Sequence, residues 1–191
     1  MKIGLFFGTF NPVHNGHVKI VSSIMEQKFV DQVWIILTPL SPFKKNQNII
    51  SFYHRMQMLE KAFNNNKHVL ISDVENNLNK PNYTINTLCH LTSIYPKNEF
   101  SIILGADNFQ YISLWKDYKT ILKNYPFFIY PRKGIKLEGI DFCSMSLKIK
   151  KLSMEVIPIS SSLIRSDIMN QAHNNYLNPS VYKYIITNKL Y

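Results

Sequence analysis

Two histidines, His14 and His17, stand three residues apart in the stretch Gly8-Thr9-Phe10-Asn11-Pro12-Val13-His14-Asn15-Gly16-His17. On a first helical turn that spacing puts both rings on one side. Imidazoles so placed can donate to phosphate oxygens and gain charge as negative charge builds up. Two other readings stay open: turn histidines that only satisfy backbone groups, and an i,i+3 pair binding a transition metal. A metal pair wants a third His, Cys or carboxylate close by, and the next acidic residue is Glu26. A second candidate set is Ile159-Ser160-Ser161-Ser162-Leu163-Ile164-Arg165. It joins hydroxyls and N–H groups at a helix start to a permanent charge that can grip phosphate bidentately. Taken alone, a serine run there reads first as a helix cap.

The elements that must hold these residues can be read around them. The apolar run 3–7, ended by Gly, Thr, Asn and Pro, reads as a buried strand closing in a tight turn. Apolar residues near helical spacing over 17–25 start a helix there, so free N–H groups and the positive end of a helix dipole meet at the turn. Residues 32–37, rich in β-branched and aromatic side chains, read as a second strand, and 38–50 as a long loop. Ser51 caps a helix to about residue 64 that carries Met56, Leu59 and Phe63 on one face, with Arg55 within it. Strands are predicted at 68–73, 100–104, 126–130 and 154–157. A helix is introduced by 81–88, with Ile85, Leu88, Leu91 and Ile94 apolar, and others are predicted around 109–112, over 115–123, after Ser160–Ser162 to about 169, and over 179–190. Residues 142–152 show no clear period. Five to six strands alternating with helices point to an α/β fold, a Rossmann-like, doubly wound parallel sheet with helices on both faces, spanning 1–191 as a single domain. No GxGxxG or Walker-A string is present, which argues against an ordinary dehydrogenase or P-loop ATPase.

Composition narrows the partners. Hydrophobic residues make up 46% and aromatics 13%, which excludes a disordered chain. No apolar run approaches the ~20 residues of a membrane span, and the first one is short and ends in Gly-Thr, so neither membrane segment nor secretory leader is expected. A soluble, cytoplasmic protein is the expectation. Cys89 and Cys143 suggest neither a disulfide framework nor a zinc site. A net charge of +10 favours polyanionic partners, nucleic acid or phosphorylated small molecules. Without a nucleic-acid-binding motif, nucleotides lead. The 11 tyrosines and 12 phenylalanines leave room for a self-association face, so a homo-oligomer is one state the sequence allows.

The ten-residue string at 8–17 resembles the T/HxGH signature of the nucleotidyltransferase superfamily, and ISSSLIR at 159–165 resembles its second signature, ISSSxIR. Within the superfamily the chain is most similar, over nearly its full length, to the bacterial nicotinate-nucleotide adenylyltransferases. The marks run in family order: GTFNPVHNGH, Pro42-Phe43-Lys44, Ser51 with Arg55, Asn82-Tyr83-Thr84 with Thr87-Leu88, Leu104-Gly105-Ala106-Asp107, Trp115, Pro131-Arg132-Lys133-Gly134 and ISSSLIR. Phe7 stands where a second Gly is usual, Asn11 replaces the common Asp, and Phe43 a frequent His.

The resemblance implies transfer of the adenylyl group of ATP to nicotinate mononucleotide, giving nicotinate adenine dinucleotide and pyrophosphate. It implies catalytic roles for His14, His17, Lys44 and Arg165, and an ATP site of Gly8, Thr9, Phe10, His14, His17, Gly105, Asp107, Ile159, Ser161, Ser162 and Arg165. It implies a mononucleotide site of Asn11, Lys44, Tyr83, Thr84, Trp115 and Arg132, with Trp115 stacked on the pyridine ring. Magnesium is expected on the substrate phosphates, with no protein metal site. The rivals are sister enzymes using nicotinamide mononucleotide or phosphopantetheine, a cytidylyltransferase and, from another class, a non-catalytic nucleic-acid-binding protein, which would show a steep salt dependence and release no pyrophosphate.

Overall fold

The computed structural model describes residues 1–39, 49–64, 66–135, 148–170 and 175–191. Strands and helices follow in the order β1 (Lys2–Gly8), α1 (Asn15–Glu26), β2 (Gln32–Leu37), α2 (Phe52–Ala62), β3 (Val69–Ser72), α3 (Thr84–Ile94), β4 (Glu99–Gly105), α4 (Ala106–Phe109), α5 (Tyr118–Asn124), β5 (Phe127–Tyr130), β6 (Ile149–Lys151), α6 (Ser161–Met169) and α7 (Pro179–Thr187). Short 3-10 turns lie at Val74–Asn76 and Ile112–Leu114.

The strands pair in parallel in the order β3-β2-β1-β4-β5-β6. A parallel sheet covered on both faces needs apolar side chains on both, and the period-2 alternation supplies them. Ile3, Leu5, Ile36, Ile102, Leu104 and Ile129 form one core with Ile85, Leu88 and Leu91 of α3 and Ile121 of α5. Phe6, Val33, Ile35, Leu37, Ile103 and Phe128 form another with Ile20 and Ile24 of α1, Leu59 of α2, Ile164 of α6 and Val181 of α7. At ~1.5–3 kcal/mol for each fully buried side chain, the two cores make the sheet a firm base for the loops at its carboxyl edge.

Strand order reverses between β1 and β4. From there the chain builds outward to β3, returns, and builds the other way to β6. Loops leaving the two central strands diverge and open a crevice, the usual ligand position in such sheets. Gly8 and Gly105 end those two strands.

Four expectations need correction. The last strand is Ile149–Lys151, not 154–157. Its exposed lysines hide it from an apolar pattern, yet they suit a sheet edge, where charge deters further pairing. Residues 152–160 have no regular structure, and Met154, Ile157 and Ile159 spend their apolar surface against the α1 core instead. A helix begins directly after β4 at Ala106 rather than near 109, and α5 starts at Tyr118 rather than Trp115, because Asp117 takes a left-handed φ of 52° and breaks helical continuity there. α7 ends at Thr187, short of 190. Residues 40–48 of the predicted loop, including Lys44, and 142–147 lie outside the described residues.

Candidate active site

The turn after β1 is shaped by Phe10, whose φ of 47° folds its ring back beneath Gly8. A Cβ on Gly8 would stand 2.7 Å from that ring, so glycine is required. Phe10 then meets His17 edge-on with centroids 5.0 Å apart, and His14 stacks on His17 at 3.7 Å. Gly16 makes room for this stack, since its Cβ would lie 2.9 Å from the His14 ring. The His14 backbone N–H donates to His17 Nδ1 at 3.2 Å, which leaves the proton of a neutral His17 on Nε2. His14 is buried, and burial, followed by the charge of Arg132, lowers its pKa to about 4. It is therefore neutral at pH 7, with Nδ1 lacking a hydrogen bond among the described residues. The α1 start is less open than the sequence suggests, because the Asn15 N–H donates to the Tyr176 carbonyl at 2.8 Å.

The serine signature lands beside this turn as expected, but its bonds run to the turn's backbone. Ser160 caps α6, accepting from the Leu163 N–H. Ser161 Oγ donates to the Pro12 carbonyl at 2.9 Å and Arg165 to the Asn11 carbonyl at 2.7 Å, with a second Arg165 nitrogen on Ser162 Oγ at 3.2 Å. Asn11 is itself 4% exposed. Its Oδ1 accepts from the Tyr191 hydroxyl at 2.7 Å and the Ile50 N–H at 3.4 Å, so it ties the turn together and does not line the neighbouring cavity.

Arg55 completes the support. Only 2% exposed, it donates to the carbonyls of Thr9, Thr38, Pro39 and Ile50 at 2.8–3.1 Å, joining the ends of β1 and β2. Burial lowers its pKa to about 10, and it stays charged at neutral pH.

Across the crevice, Asp107 and Arg132 pair at 3.4 Å. Gly105 lets Asp107 fold back, because a Cβ there would collide with Asp107 Oδ1. Arg132 lies over the ring of Tyr130, whose hydroxyl burial pushes up to about 12. With His14, His17, Ile157 and Ile159, Arg132 and Tyr130 line one shallow cleft. Arg132 thus lies with the histidines and not beside Tyr83 and Trp115, where the sequence assigned it.

Gly8 and Thr9 line a separate cavity of about 180 Å³, walled also by Phe7, Thr38, Glu75, Asn82, Tyr83, Thr84, Leu104, Asn108, Leu114, Trp115 and Lys116. Tyr83 and Thr84 open α3 there, and Lys116 lies 5.0 Å over the Tyr83 ring. Burial raises the pKa of the Glu75 carboxyl, against the hydroxyls of Thr38 and Thr87.

The turn after β1 thus contributes Gly8 and Thr9 to the larger cavity and His14, Gly16 and His17 to a much smaller hollow of about 10 Å³. The hollow holds imidazoles and a guanidinium; the cavity has aromatic walls, a lysine and a helix N-terminus. Such a pair can hold a polyphosphate and a flat anionic ring against each other. Among the described residues no group of three His, Cys, Asp or Glu could hold a metal ion, and no helix is long and apolar enough to cross a membrane. Sequence reasoning gave Arg55 no role and passed over Glu75, Lys116 and Tyr191. Arg55 carried one signal, a charge placed among the apolar positions of α2.

The family model described as cytidylyltransferase-like matches residues 5–167. The "Probable nicotinate-nucleotide adenylyltransferase" of Flavobacterium psychrophilum is 39% identical over 100% of this chain and 99% of its own length. That of Carboxydothermus hydrogenoformans is 35% identical over 100% and 98%. Plasmodium falciparum nicotinic acid mononucleotide adenylyltransferase complexed with NaAD superposes with a TM-score of 0.79 at 21% identity, covering 99% of this chain and 96% of that one, a likeness of fold.

Proposed function

The chain belongs to the cytidylyltransferase-like family and, within it, to the nicotinate-nucleotide adenylyltransferases, and we infer that it joins ATP to nicotinate mononucleotide, giving nicotinate adenine dinucleotide and pyrophosphate for NAD biosynthesis. The observation that carries this reading is the cavity lined by Gly8, Thr9, Tyr83, Thr84 and Trp115, with the His14, His17 and Arg132 cluster further along the same turn. ATP lies with its phosphates toward His14, His17 and Arg165. The mononucleotide lies with its pyridine ring between Tyr83 and Trp115, its carboxylate toward the first N–H groups of α3 and the charge of Lys116.

A phosphate oxygen of the mononucleotide attacks the α-phosphorus of ATP in line. The new P–O bond forms as the bond from the α-phosphorus to the bridging oxygen breaks, and pyrophosphate leaves with that electron pair. No protein nucleophile is needed; alignment and charge stabilisation carry the reaction. Nε2–H of His17 donates to phosphate oxygen, and neutral His14 can take a proton as charge accumulates beside it. Lys44, outside the described residues, is a further cation that the family resemblance assigns to the phosphates. Magnesium enters with the triphosphate as part of the substrate and neutralises phosphate charge. Both substrates are small cytoplasmic anions, which accounts for the +10 charge without nucleic acid.

Pyrophosphate release with ATP and magnesium, comparing nicotinate mononucleotide, nicotinamide mononucleotide and phosphopantetheine, tests the reading. Preference for the nicotinate acceptor is expected. Preference for another acceptor refutes the pocket assignment, and no release with any of them refutes the reaction.

A further inference from the structure

Glu75 and Asn82 line the mononucleotide cavity and have no task in the reaction described. Both are buried, at 2% and 6% exposure. One end of each is anchored: the Thr87 hydroxyl donates to Glu75 Oε1 at 2.9 Å, and Asn82 Nδ2 donates to the Glu75 backbone carbonyl at 2.6 Å. That second bond fixes which way the Asn82 amide faces. Of the remaining ends, Asn82 Oδ1 is a buried oxygen that makes no hydrogen bond among the described residues, and Glu75 Oε2 makes none of good geometry, although the Thr38 hydroxyl lies beside the carboxyl. Leaving a buried acceptor unmet costs ~1–3 kcal/mol, so two of them on a cavity wall point to a ligand that brings hydrogens.

We propose that Glu75 and Asn82 form the subsite for the ribose hydroxyls of the mononucleotide, an assignment that rests on the reading above. The argument is by elimination. In nicotinate mononucleotide the ring nitrogen carries the sugar and the ring carboxylate is ionised. With a second pKa near ~6, the phosphate ester has also lost its protons at slightly alkaline pH. Only the 2′ and 3′ hydroxyls remain to donate. They stand side by side as a vicinal diol and face two acceptors that the Asn82–Glu75 bond holds together. Donation to the Glu75 carboxyl favours its ionised form, and Lys116 lines the same cavity.

The test compares nicotinate mononucleotide with its 2′,3′-dideoxy analogue in the wild type and in Glu75→Gln, which keeps the side chain's size and an oxygen for Thr87. In the wild type the analogue's KM is expected to be higher by about tenfold or more, equivalent to ~1.4 kcal/mol. In Glu75→Gln the KM for the hydroxylated substrate rises by a similar factor, the gap between the two acceptors closes, and the KM for ATP stays within about twofold. Equal KM values for the two acceptors in the wild type overturn the subsite without recourse to any variant. So does a Glu75→Gln enzyme that retains the gap, since the oxygens then serve only water. A wild type that does not use nicotinate mononucleotide at all overturns the underlying reading and the subsite with it, and the two failures are told apart by that first measurement.

Discussion

Lowering the pH from 7 to 4.5 is expected to remove about 2.4 kcal/mol of stability through His14 alone. The ring is 5% exposed, and burial first and Arg132 second bring its pKa from 6.5 to about 4. Below 6.5 the unfolded chain takes up a proton that the folded chain refuses until about 4. The contribution is therefore fully present above the unfolded value and is lost as pH falls toward the folded one. At 1.36 kcal/mol per pKa unit, the loss relative to pH 7 is about 1.2 kcal/mol at pH 5.5 and about 2.4 kcal/mol at pH 4.5. Urea unfolding of the wild type and His14→Asn at these three pH values gives the term as a difference. That difference cancels other titrating groups such as Glu75, whose raised pKa acts in the opposite sense. Parallel stability profiles, agreeing within ~0.5 kcal/mol across the range, would refute the argument that burial keeps His14 neutral. Bound ATP brings negative charge toward the ring and raises its pKa, so saturating nucleotide is expected to shrink the acid loss.

His17→Ala is expected to lower turnover by about 10²-fold or more with little change in melting temperature, since the ring is only half-buried; near-normal pyrophosphate release would remove His17 from the reaction. Arg55→Leu leaves four carbonyls without their donor and is expected to cost about 3–5 kcal/mol, lowering Tm by roughly 6–20 °C in a chain of this size. Thermal unfolding checks it, and a drop of less than about 2 °C would show that water replaces the guanidinium.

The fold was legible where side chains announce their surroundings. Five strands carry apolar runs and were read to within a few residues, four of them largely buried and β3 only partly so, with Leu70 exposed. β6 was not, because an edge strand of one isoleucine and two lysines has no apolar pattern to read. The turn residues and the serine run were read as candidates because local motifs carry them, and the fold places the two side by side. What the motif could not convey was which atoms face which way. Ser161 and Arg165 bond the backbone of the turn, and Arg132 sits with the histidines. Glu75 was missed because an acid in the polar stretch 73–82 reads as a solvated one, whereas in the fold it is buried beside Thr38 and Thr87, residues distant in sequence. Tyr191 meets Asn11 across 180 positions of sequence, a contact no local pattern encodes.

Those backbone bonds explain how the turn can receive a polyanion. A tight turn exposes carbonyl oxygens as well as N–H groups, and carbonyls facing a triphosphate would repel it. Here the carbonyls of Thr9, Asn11 and Pro12 are taken by Arg55, Arg165 and Ser161, so three negative dipole ends are engaged before any ligand arrives. Two of the three donors are guanidinium groups. Among the described residues Arg55 has no carboxylate within ion-pair distance, so its charge is not cancelled locally. Burying an unpaired cation is unfavourable, and the four carbonyls offset that cost here. Its field in the low-dielectric interior still extends toward the turn, where a weakly screened positive charge attracts phosphate more strongly than a solvated lysine could. The same four bonds that hold β1 to β2 thus also set the sign of the potential at the turn. On this argument Arg55→Lys should weaken ATP binding less than Arg55→Leu does, because it keeps the charge while losing the planar fork. Equal ATP KM values for the two variants would mean that Arg55 acts through geometry alone.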